Sequence, residues 1–412
     1  MAGIAIAGAA GNSLFLPSLL TLAVVISAAK LLGALAVRVR QPAVLGELAA
    51  GLLLGPSVLN ILSRQAFGGE AVGEVVHWAA ELGVVWLMFA AGLETDFDDM
   101  RQAGRPAVLG GAFGVVGPLL MGWGLGLAFG LGGEQAVAIG LILSATSVSI
   151  SAQTLMELKK LRSREGVALL GAAVIDDVLV VALLSVFVGA VGGEGSLSSA
   201  ALGLVRMVLV LALVGGAAYF VLPRLAEWAD RLRASQGLLA IALAAVLILA
   251  WSVETLGGVA AITGAFMAGV GLGRSRFRHE IERGLSPLAY AFFVPLFLVD
   301  IGLRSNAREL PGEAFWFTLA LLAVAAASKL LGSGLGAYLG GFEKGAAFRM
   351  GLGMISRGEV GLIVAGVVVA EEVLTPDVFT VVVLMVLATT MVTPPLLRWA
   401  FARQEVRDAA AD

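Results

Sequence analysis

The segment GAAVIDDV, residues 171–178, places two adjacent aspartates, Asp176 and Asp177, inside an apolar stretch that runs from Val167 to Val188. A charged side chain near the centre of a bilayer costs about 2.5–3.5 kcal/mol on insertion scales. An acid in such a segment is therefore a functional hypothesis whose partner must be found, and two acids in succession indicate a cation as that partner.

The composition decides the class of the chain. Hydrophobic residues make up 59% of the 412 residues, charged residues only 14%, and the mean hydropathy is +0.96. Soluble domains have about 45–50% apolar and about 25% charged residues. We therefore predict an all-α, polytopic membrane protein that forms a single integral-membrane unit over 1–412, since a span needs about 20 apolar residues. The absence of cysteine excludes disulfides and thiol chemistry.

Hydropathy predicts thirteen transmembrane helices. Their approximate limits are 14–37, 43–62, 75–94, 106–131, 135–158, 165–192, 199–222, 236–255, 258–273, 285–303, 314–340, 345–370 and 378–400. With this count, loops on one side of the membrane carry 20 of the 27 Lys and Arg residues and the opposite loops only three. Because cytoplasmic loops carry the basic excess, the N-terminus is predicted outside and the C-terminus in the cytoplasm. Residues 2–29 have no basic region typical of a cleaved signal.

Two segments of the chain repeat each other, approximately 43–192 and 258–400. The second and ninth helices share a five-and-four glycine spacing, and the next helices close on similar tetrapeptides. The glycines are Gly46, Gly51 and Gly55 against Gly264, Gly269 and Gly273, and the tetrapeptides are GLET (92–95) and GLRS (302–305). Partners seven helices apart run in opposite directions, so we predict inverted-topology repeats, in which substrate sites lie near the midplane between the halves.

The fifth and twelfth helices correspond under this repeat, and polar residues interrupt both: SATSVS at 144–149 and SRGE at 356–359. Such segments favour broken helices whose free backbone groups face a cavity. Ser and Thr in membrane helices also simply bond backbone carbonyls or neighbouring helices, which leaves this alternative open. For Arg357 and Glu359 we favour a structural role at helix ends over direct ion binding.

Six motifs together resemble the monovalent cation/proton antiporter superfamily, and within it the bacterial sodium/proton antiporters of NapA type. They are QPAVLGELAAGLLLGP (41–56), ELGVVWLMFAAGLETD (81–96), SATSVSIS (144–151), GAAVIDDV (171–178), AASKLLG (326–332) and ISRGEVGLIVA (355–365). The likeness covers nearly the whole chain. The paired aspartates followed by a lysine on a later span are the specific part, and the glycine motifs are weaker.

The resemblance implies a homodimer in the bacterial inner membrane, built from dimerisation helices (14–62 and 258–303) and core helices (75–192 and 314–400). Two discontinuous helices of the core would cross beside the ion site. Asp177 would bind a monovalent cation and exchange it for a proton, and Asp176 would pair with Lys329. Thr146 and Ser147 would lie at the break of one crossing helix, with Arg357 and Glu359 in the other.

Helix geometry and electrostatics agree with these roles. Adjacent residues on a helix point about 100° apart, so one aspartate can face the lysine while the other faces a water-filled cavity. Burial favours a neutral acid and a nearby lysine favours an ionised one, so we expect the two to titrate differently, Asp177 within the physiological range. If Lys329 also releases a proton, two protons move per ion and transport is electrogenic. Electroneutral relatives have asparagine at the first position, which favours this hypothesis.

Other polar residues in the spans have simpler interpretations. Lys30 and Arg206 are expected to reach the membrane interface by snorkelling. Glu47 is expected to bond across helices, with a role in the cation pathway as the alternative. Asp300 departs from the uncharged residue usual in the resembling family. It could be solvated, pair with Arg304 or line an external funnel, so we leave it unassigned.

Three rival functions deserve comparison. An intramembrane aspartyl protease needs acids from separate helices, so it is disfavoured and no enzymatic activity is expected. A sodium-coupled organic-anion symporter of similar fold is the alternative function, although it would not need a carboxylate pair with a membrane lysine. A cation channel is the third alternative, but no filter-like pore segment is visible in the sequence. The glycines of 269–273 follow no strand, so no nucleotide-binding domain is expected. No soluble regulatory domain, cofactor or nucleic-acid partner is expected either. The sequence does not show which of Na⁺, Li⁺ and K⁺ the protein prefers to transport.

Overall fold

A computed structural model describes residues 14–95, 104–191, 197–232, 235–304, 315–374 and 376–409. Within these ranges every regular element is helical. The α-helices are α1 (Phe15–Arg38), α2 (Ala43–Leu54), α3 (Gly69–Glu94), α4 (Gly104–Ala128), α5 (Gly133–Ser144), α6 (Val148–Glu157), α7 (Arg164–Val191), α8 (Leu197–Phe220), α9 (Leu222–Asp230), α10 (Gly237–Gly257), α11 (Ala261–Gly273), α12 (Arg278–Leu288), α13 (Val294–Leu303), α14 (Phe315–Leu339), α15 (Lys344–Gly353), α16 (Glu359–Ala370) and α17 (Pro376–Ala409).

The helices have the lengths and compositions of a multi-pass membrane protein. Ten helical stretches of the described chain are long and apolar enough to cross a bilayer, and three shorter apolar helices accompany them, at Ala43–Leu54, Ala261–Gly273 and Val360–Val369. Each of the thirteen predicted segments contains helix. The all-α membrane class is thus confirmed, while the number of membrane crossings stays a prediction.

Some helices end where hydropathy alone does not place an end. The second predicted helix was expected to reach residue 62, but α2 stops at Leu54, and Gly55 is extended with ψ −178°. Pro56 disfavours helical backbone at the residue before it, which explains this end. Pro223 similarly opens α9, which follows α8 after Val221. The predicted helix at 285–303 begins earlier, at Arg278, and includes a π-helical turn at Ala289–Phe293.

Glycine contacts agree with the predicted repeat. A Cβ at Gly51 of α2 would lie 2.2 Å from the Val299 carbonyl oxygen of α13, and a Cβ at Gly269 of α11 would lie 2.2 Å from the Phe89 carbonyl oxygen of α3. Each helix therefore packs, backbone against backbone, on a helix of the other repeat, in contacts that the repeat relates to one another. The two segments therefore have corresponding contacts, while their opposite orientation in the membrane stays a prediction.

The helices form two packing groups. The scaffold group is defined here as α1–α3 and α8–α13, and the core group as α4–α7 and α14–α17; helices pack more extensively within each group than between them. Sequence reasoning assigned residues 75–94 to the core. In the structure, α3 packs chiefly on α11 and α13 of the scaffold group, where a Cβ at Gly83 would lie 2.3 Å from the Phe293 carbonyl oxygen.

Candidate functional site

Two helix breaks meet in the core group. The first lies between α5 and α6, at residues 145–147, and the second lies between α15 and α16, at residues 354–358. The Ser147 amide donates to the Ser356 carbonyl at 2.9 Å, and the Ser356 hydroxyl donates to the Ser147 carbonyl at 2.6 Å. Helix ends leave backbone groups without partners, and these reciprocal bonds satisfy two such groups in the first break and one in the second. The predicted crossing of two discontinuous helices is confirmed.

Arg357 closes the second break. Its fully buried guanidinium donates to the Ile355 carbonyl at 2.8 Å, to the Met354 carbonyl at 3.3 Å and to the Ala325 carbonyl of α14 at 2.9 Å. A cation at a helix C-terminus satisfies its last carbonyls and complements its dipole. Arg357 thus binds the end of α15 and ties it to α14. The second predicted residue of this break, Glu359, begins α16, but its side chain lies outside the described part of the structure.

Two threonines of α17 also hold this break, and sequence reasoning missed both. The Thr390 hydroxyl donates to the Arg357 carbonyl at 2.6 Å, and the Thr389 hydroxyl accepts from the Arg357 amide at 3.3 Å. Both side chains are buried. The available signal was a pair of hydroxyl residues within an otherwise apolar helix, which in membrane proteins indicates bonding to a neighbouring backbone.

Asp176 and Lys329 form an ion pair sealed inside the core group. The Lys329 Nζ donates to Asp176 Oδ1 at 2.6 Å, and both side chains are 0% exposed. The pair joins α7 to α14, since Asp176 lies midway along the first and Lys329 midway along the second. Removing two charges from water is expensive, so close contact between them is required to keep both ionised.

Asp177 has a different environment. Its side chain is 5% exposed and borders a narrow cavity of about 10 Å³, room for about one water molecule. Residues of α3, α6, α7 and α11 line this cavity, so it lies on the boundary between the core and scaffold groups. The Thr263 hydroxyl of α11 donates to Asp177 Oδ2 at 3.3 Å. Sequence reasoning did not identify Thr263.

Two buried polar atoms near the ion pair have no hydrogen-bond partner in the described residues, Ser333 Oγ and Arg357 Nε. The Thr146 side chain of the first break lies beside Asp176 and stabilises its charge. Ser333 is one helical turn from Lys329, and its hydroxyl lies in the space that Gly114 of α4 leaves open. Buried polar groups are normally paired with protein or ordered water, so these atoms mark a polar interior able to bind water or a small ion.

The remaining charged residues considered in the sequence lie apart from this centre. Glu47 accepts from Lys30 of α1 at 2.8 Å, so Lys30 is held by an acid rather than only snorkelling. Arg206 donates to the carbonyls of Thr255 and Leu256 at the end of α10. Among the described residues, no group of three or more His, Cys, Asp or Glu side chains is arranged to hold a metal ion.

Asp300 is paired at its helix end. It contacts Arg304 at 3.2 Å, one of the options left open by the sequence, and also the His77 ring of α3 at 2.8 Å.

Inverted repeats whose interrupted helices cross beside buried charges define the chain as a secondary transporter. Residues 23–403 match the family of transmembrane sodium/hydrogen exchangers. The chain belongs to the sodium/hydrogen exchanger family, which confirms the resemblance that its motifs predict.

Named relatives agree with this assignment over most of their length. The chain is 38% identical over 385 residues to the Na(+)/H(+)-K(+) antiporter GerN of Bacillus cereus, covering 93% of this chain and 96% of that protein. It is 32% identical over 359 residues to the Na(+)/H(+) antiporter of Enterococcus hirae, covering 87% and 91%. The fold is similar to that of the sodium proton antiporter MjNhaP1 from Methanocaldococcus jannaschii at pH 8, with a TM-score of 0.65, 14% identity and coverage of 95% and 98%.

Proposed function

We propose that the protein is a secondary antiporter, not an enzyme, that exchanges Na⁺ or another monovalent cation for H⁺, with Asp177 as the shared binding site. The observation that carries this proposal is the position of Asp177, which borders a cavity between the two helix groups while its neighbour Asp176 is sealed. Family membership supports sodium and proton as the exchanged ions. A carboxylate that holds a proton or a hard cation, but not both, couples the two fluxes by competition.

Alternating access follows if the core group moves against the scaffold group. The pair Asp176–Lys329 and the crossed breaks lie within the core group, so they can move together, whereas Thr263 belongs to the scaffold group. Each half-cycle would carry Asp177 past α11 with either a cation or a proton bound. We therefore place α3, with its close contacts to α11 and α13, on the stationary side, in place of the core assignment made from sequence.

Lys329 gives a basis for electrogenic exchange. Its ammonium is bound by one oxygen of Asp176, and both side chains are sealed from solvent. If cation entry draws the Asp176 carboxylate away from Lys329, the buried ammonium loses its counter-charge and releases a proton. With the proton displaced from Asp177, two protons would then move against one cation, so exchange would depend on voltage.

Orientation and assembly complete the proposal. The basic loops face the cytoplasm, which places the N-terminus outside, and the residues of α7 that line the Asp177 cavity precede Asp177 on its cytoplasmic side. We further propose a homodimer in the bacterial inner membrane, with the scaffold group at the interface.

Proteoliposomes test the function directly. Acid-loaded vesicles containing a pH dye should release protons when Na⁺ is added outside, and comparison with Li⁺ and K⁺ ranks the ions. Asp177→Asn should abolish this release, while the matched control Glu254→Gln, at an exposed acid near the end of α10, should leave it intact. Absence of cation-driven proton release from the unmodified protein, or normal release from Asp177→Asn, would contradict the proposal.

A further inference from the structure

A carboxylate of the core group binds the start of a scaffold helix. Glu157, the last residue of α6, accepts the amide of Ala43 at 2.7 Å and the amide of Val44 at 3.1 Å. These are the first two residues of α2, more than a hundred positions away in the sequence. The contact therefore joins two elements that belong to different packing groups.

The start of α2 has no other side-chain cap. Its N-cap residue is Pro42, which offers no side-chain acceptor, so the first amides of the helix would otherwise be unsatisfied. A carboxylate is the best partner for this position, because hydrogen bonds to an ionised acceptor are stronger and the helix dipole favours negative charge at its N-terminus. Glu157 therefore performs a task that a local side chain usually performs, and it does so from across the group boundary.

Neighbouring polar groups hold Glu157 in place. Gln153, one turn earlier on α6, donates to Glu157 Oε1 at 3.2 Å. On the scaffold side, the facing charges are Lys30 and Glu47, which bond to each other at 2.8 Å. Gln153 and Lys30 therefore stabilise the charge of Glu157, and Glu47 opposes it.

Other contacts cross the same boundary but are weaker. The Thr263 hydroxyl contacts Asp177, and the Tyr290 hydroxyl contacts the Met156 sulfur, each as a single contact at 3.3 Å. Glu157 instead supplies two charge-assisted bonds at one point. If the core group moves against the scaffold group, both of these bonds must break, and a carboxylate and two amides lose their partners.

We infer that Glu157 is a positioning residue of the transport cycle: it holds the core group against the scaffold group in the conformation described, and its bonds to α2 break in each cycle. This inference rests on the proposed movement of the core group. Weakening the bonds shifts the equilibrium toward the opposite conformation, because only the present conformation gains from them.

The chain offers a matched control at the same end of the core group. Glu165 of α7 pairs with Arg349 of α15, and both helices belong to the core group. Glu165→Gln removes a carboxylate of similar depth without touching the boundary. It should affect the stability of the core group but not its position relative to the scaffold group.

Spin labels can measure that position, since the sequence contains no cysteine and two introduced cysteines are the only labelling sites. Arg38→Cys on the scaffold group and Lys159→Cys on the core group, both exposed, report the distance across the boundary. Arg38→Cys with Trp228→Cys, both on the scaffold group, is the reference pair. Distances are recorded by pulsed electron paramagnetic resonance in nanodiscs.

Glu157→Ala should populate a second distance for the boundary pair, with a shift in the ratio of the two conformations of about tenfold. Glu157→Gln keeps one carbonyl acceptor and should shift the ratio by about threefold. The reference pair and the Glu165→Gln protein should keep a single, unchanged distance. Unchanged boundary distances in both Glu157 variants would overturn the inference.

Transport measurements separate this inference from the proposed function. If the unmodified protein shows no cation-driven proton release, the proposed function fails whatever the distances are. If it exchanges ions normally and the Glu157 variants change neither the distances nor the exchange rate, only the role of Glu157 fails. An altered exchange rate together with a second distance in the folded, monodisperse variants supports both the proposed function and the role of Glu157.

Discussion

Asp176 is enclosed with Lys329 inside the core group, whereas Asp177, the next residue, borders a cavity and contacts Thr263 of the scaffold group. The two side chains are chemically identical, and one step along α7 separates their directions by about 100°. One side chain is held in an ion pair inside the core group, and the other borders the boundary between the two groups. The difference teaches that the direction of a side chain, rather than its residue type, decides which partners it has in this protein.

The largest expected effect is a complete loss of transport, with almost no loss of stability, when Asp177 is replaced. Asp177→Asn should abolish cation-driven proton release in proteoliposomes, yet change the thermal unfolding midpoint by only about 2 °C or less, since asparagine retains an acceptor for Thr263. Thermal unfolding of the purified protein in detergent gives the second measurement. A strongly destabilised Asp177→Asn protein would show that both faces of α7 are structural.

The sealed pair should differ from Asp177 in its effect on stability. Lys329→Met leaves the Asp176 charge buried and unpaired, so we expect a loss of about 3–5 kcal/mol in the free energy of unfolding. The double variant Asp176→Asn/Lys329→Met removes both charges and should recover much of this loss. Unfolding curves of the single and double variants provide the comparison, and equal stabilities would argue against a tightly coupled pair.

The helix crossing should respond to a single methyl group. A Cβ at Gly358 would lie 2.6 Å from the Ser147 side chain, so Gly358→Ala should separate the two breaks, at a cost of about 1–3 kcal/mol, and slow exchange. Gly366 of α16 has no atom within 4 Å of its Cβ position, so Gly366→Ala should be neutral or slightly stabilising. Thermal unfolding and exchange rates of the two variants are the measurements; equal behaviour would mean that the crossing tolerates expansion.

The smallest expected effect concerns the contact across the boundary. Thr263→Ala removes the hydroxyl bonded to Asp177 and should change the apparent KM for Na⁺ by about two- to tenfold, corresponding to about 0.5–1.5 kcal/mol, with little change in stability. Thr263→Ser keeps the hydroxyl and should retain the original KM. Concentration dependence of the exchange rate distinguishes these results, and a KM shared by all three proteins would remove Thr263 from the site.

Much of the fold could be predicted from local signals. All thirteen predicted segments contain helix. They could be located because apolar stretches of about twenty residues, separated by basic loops, can be identified from the sequence alone. The two breaks were predicted from hydroxyl and charged residues inside apolar helices, and the repeat from glycine spacing. The intramembrane acids and Lys329 were found for the same reason: a charge in such a segment is rare.

The unpredicted features depend on contacts between distant parts of the chain. Thr263 and Glu157 occupy ordinary positions in their helices, and only the packing of α11 and α2 brings them to Asp177 and the Ala43 amide. The group to which α3 belongs was missed because hydropathy identifies a helix without identifying its neighbours. Glycines such as Gly83 mark close approach, but not the helix that approaches.

The paired glycine contacts of α2 and α11 bear on how one chain can adopt two conformations. Two halves that face opposite sides of the bilayer are approximate templates for each other. If each half adopted the backbone arrangement now seen in its counterpart, the Asp177 cavity would face the other side of the membrane and the helices would keep the same kinds of contact. A second conformation would then need no contacts that the present one lacks.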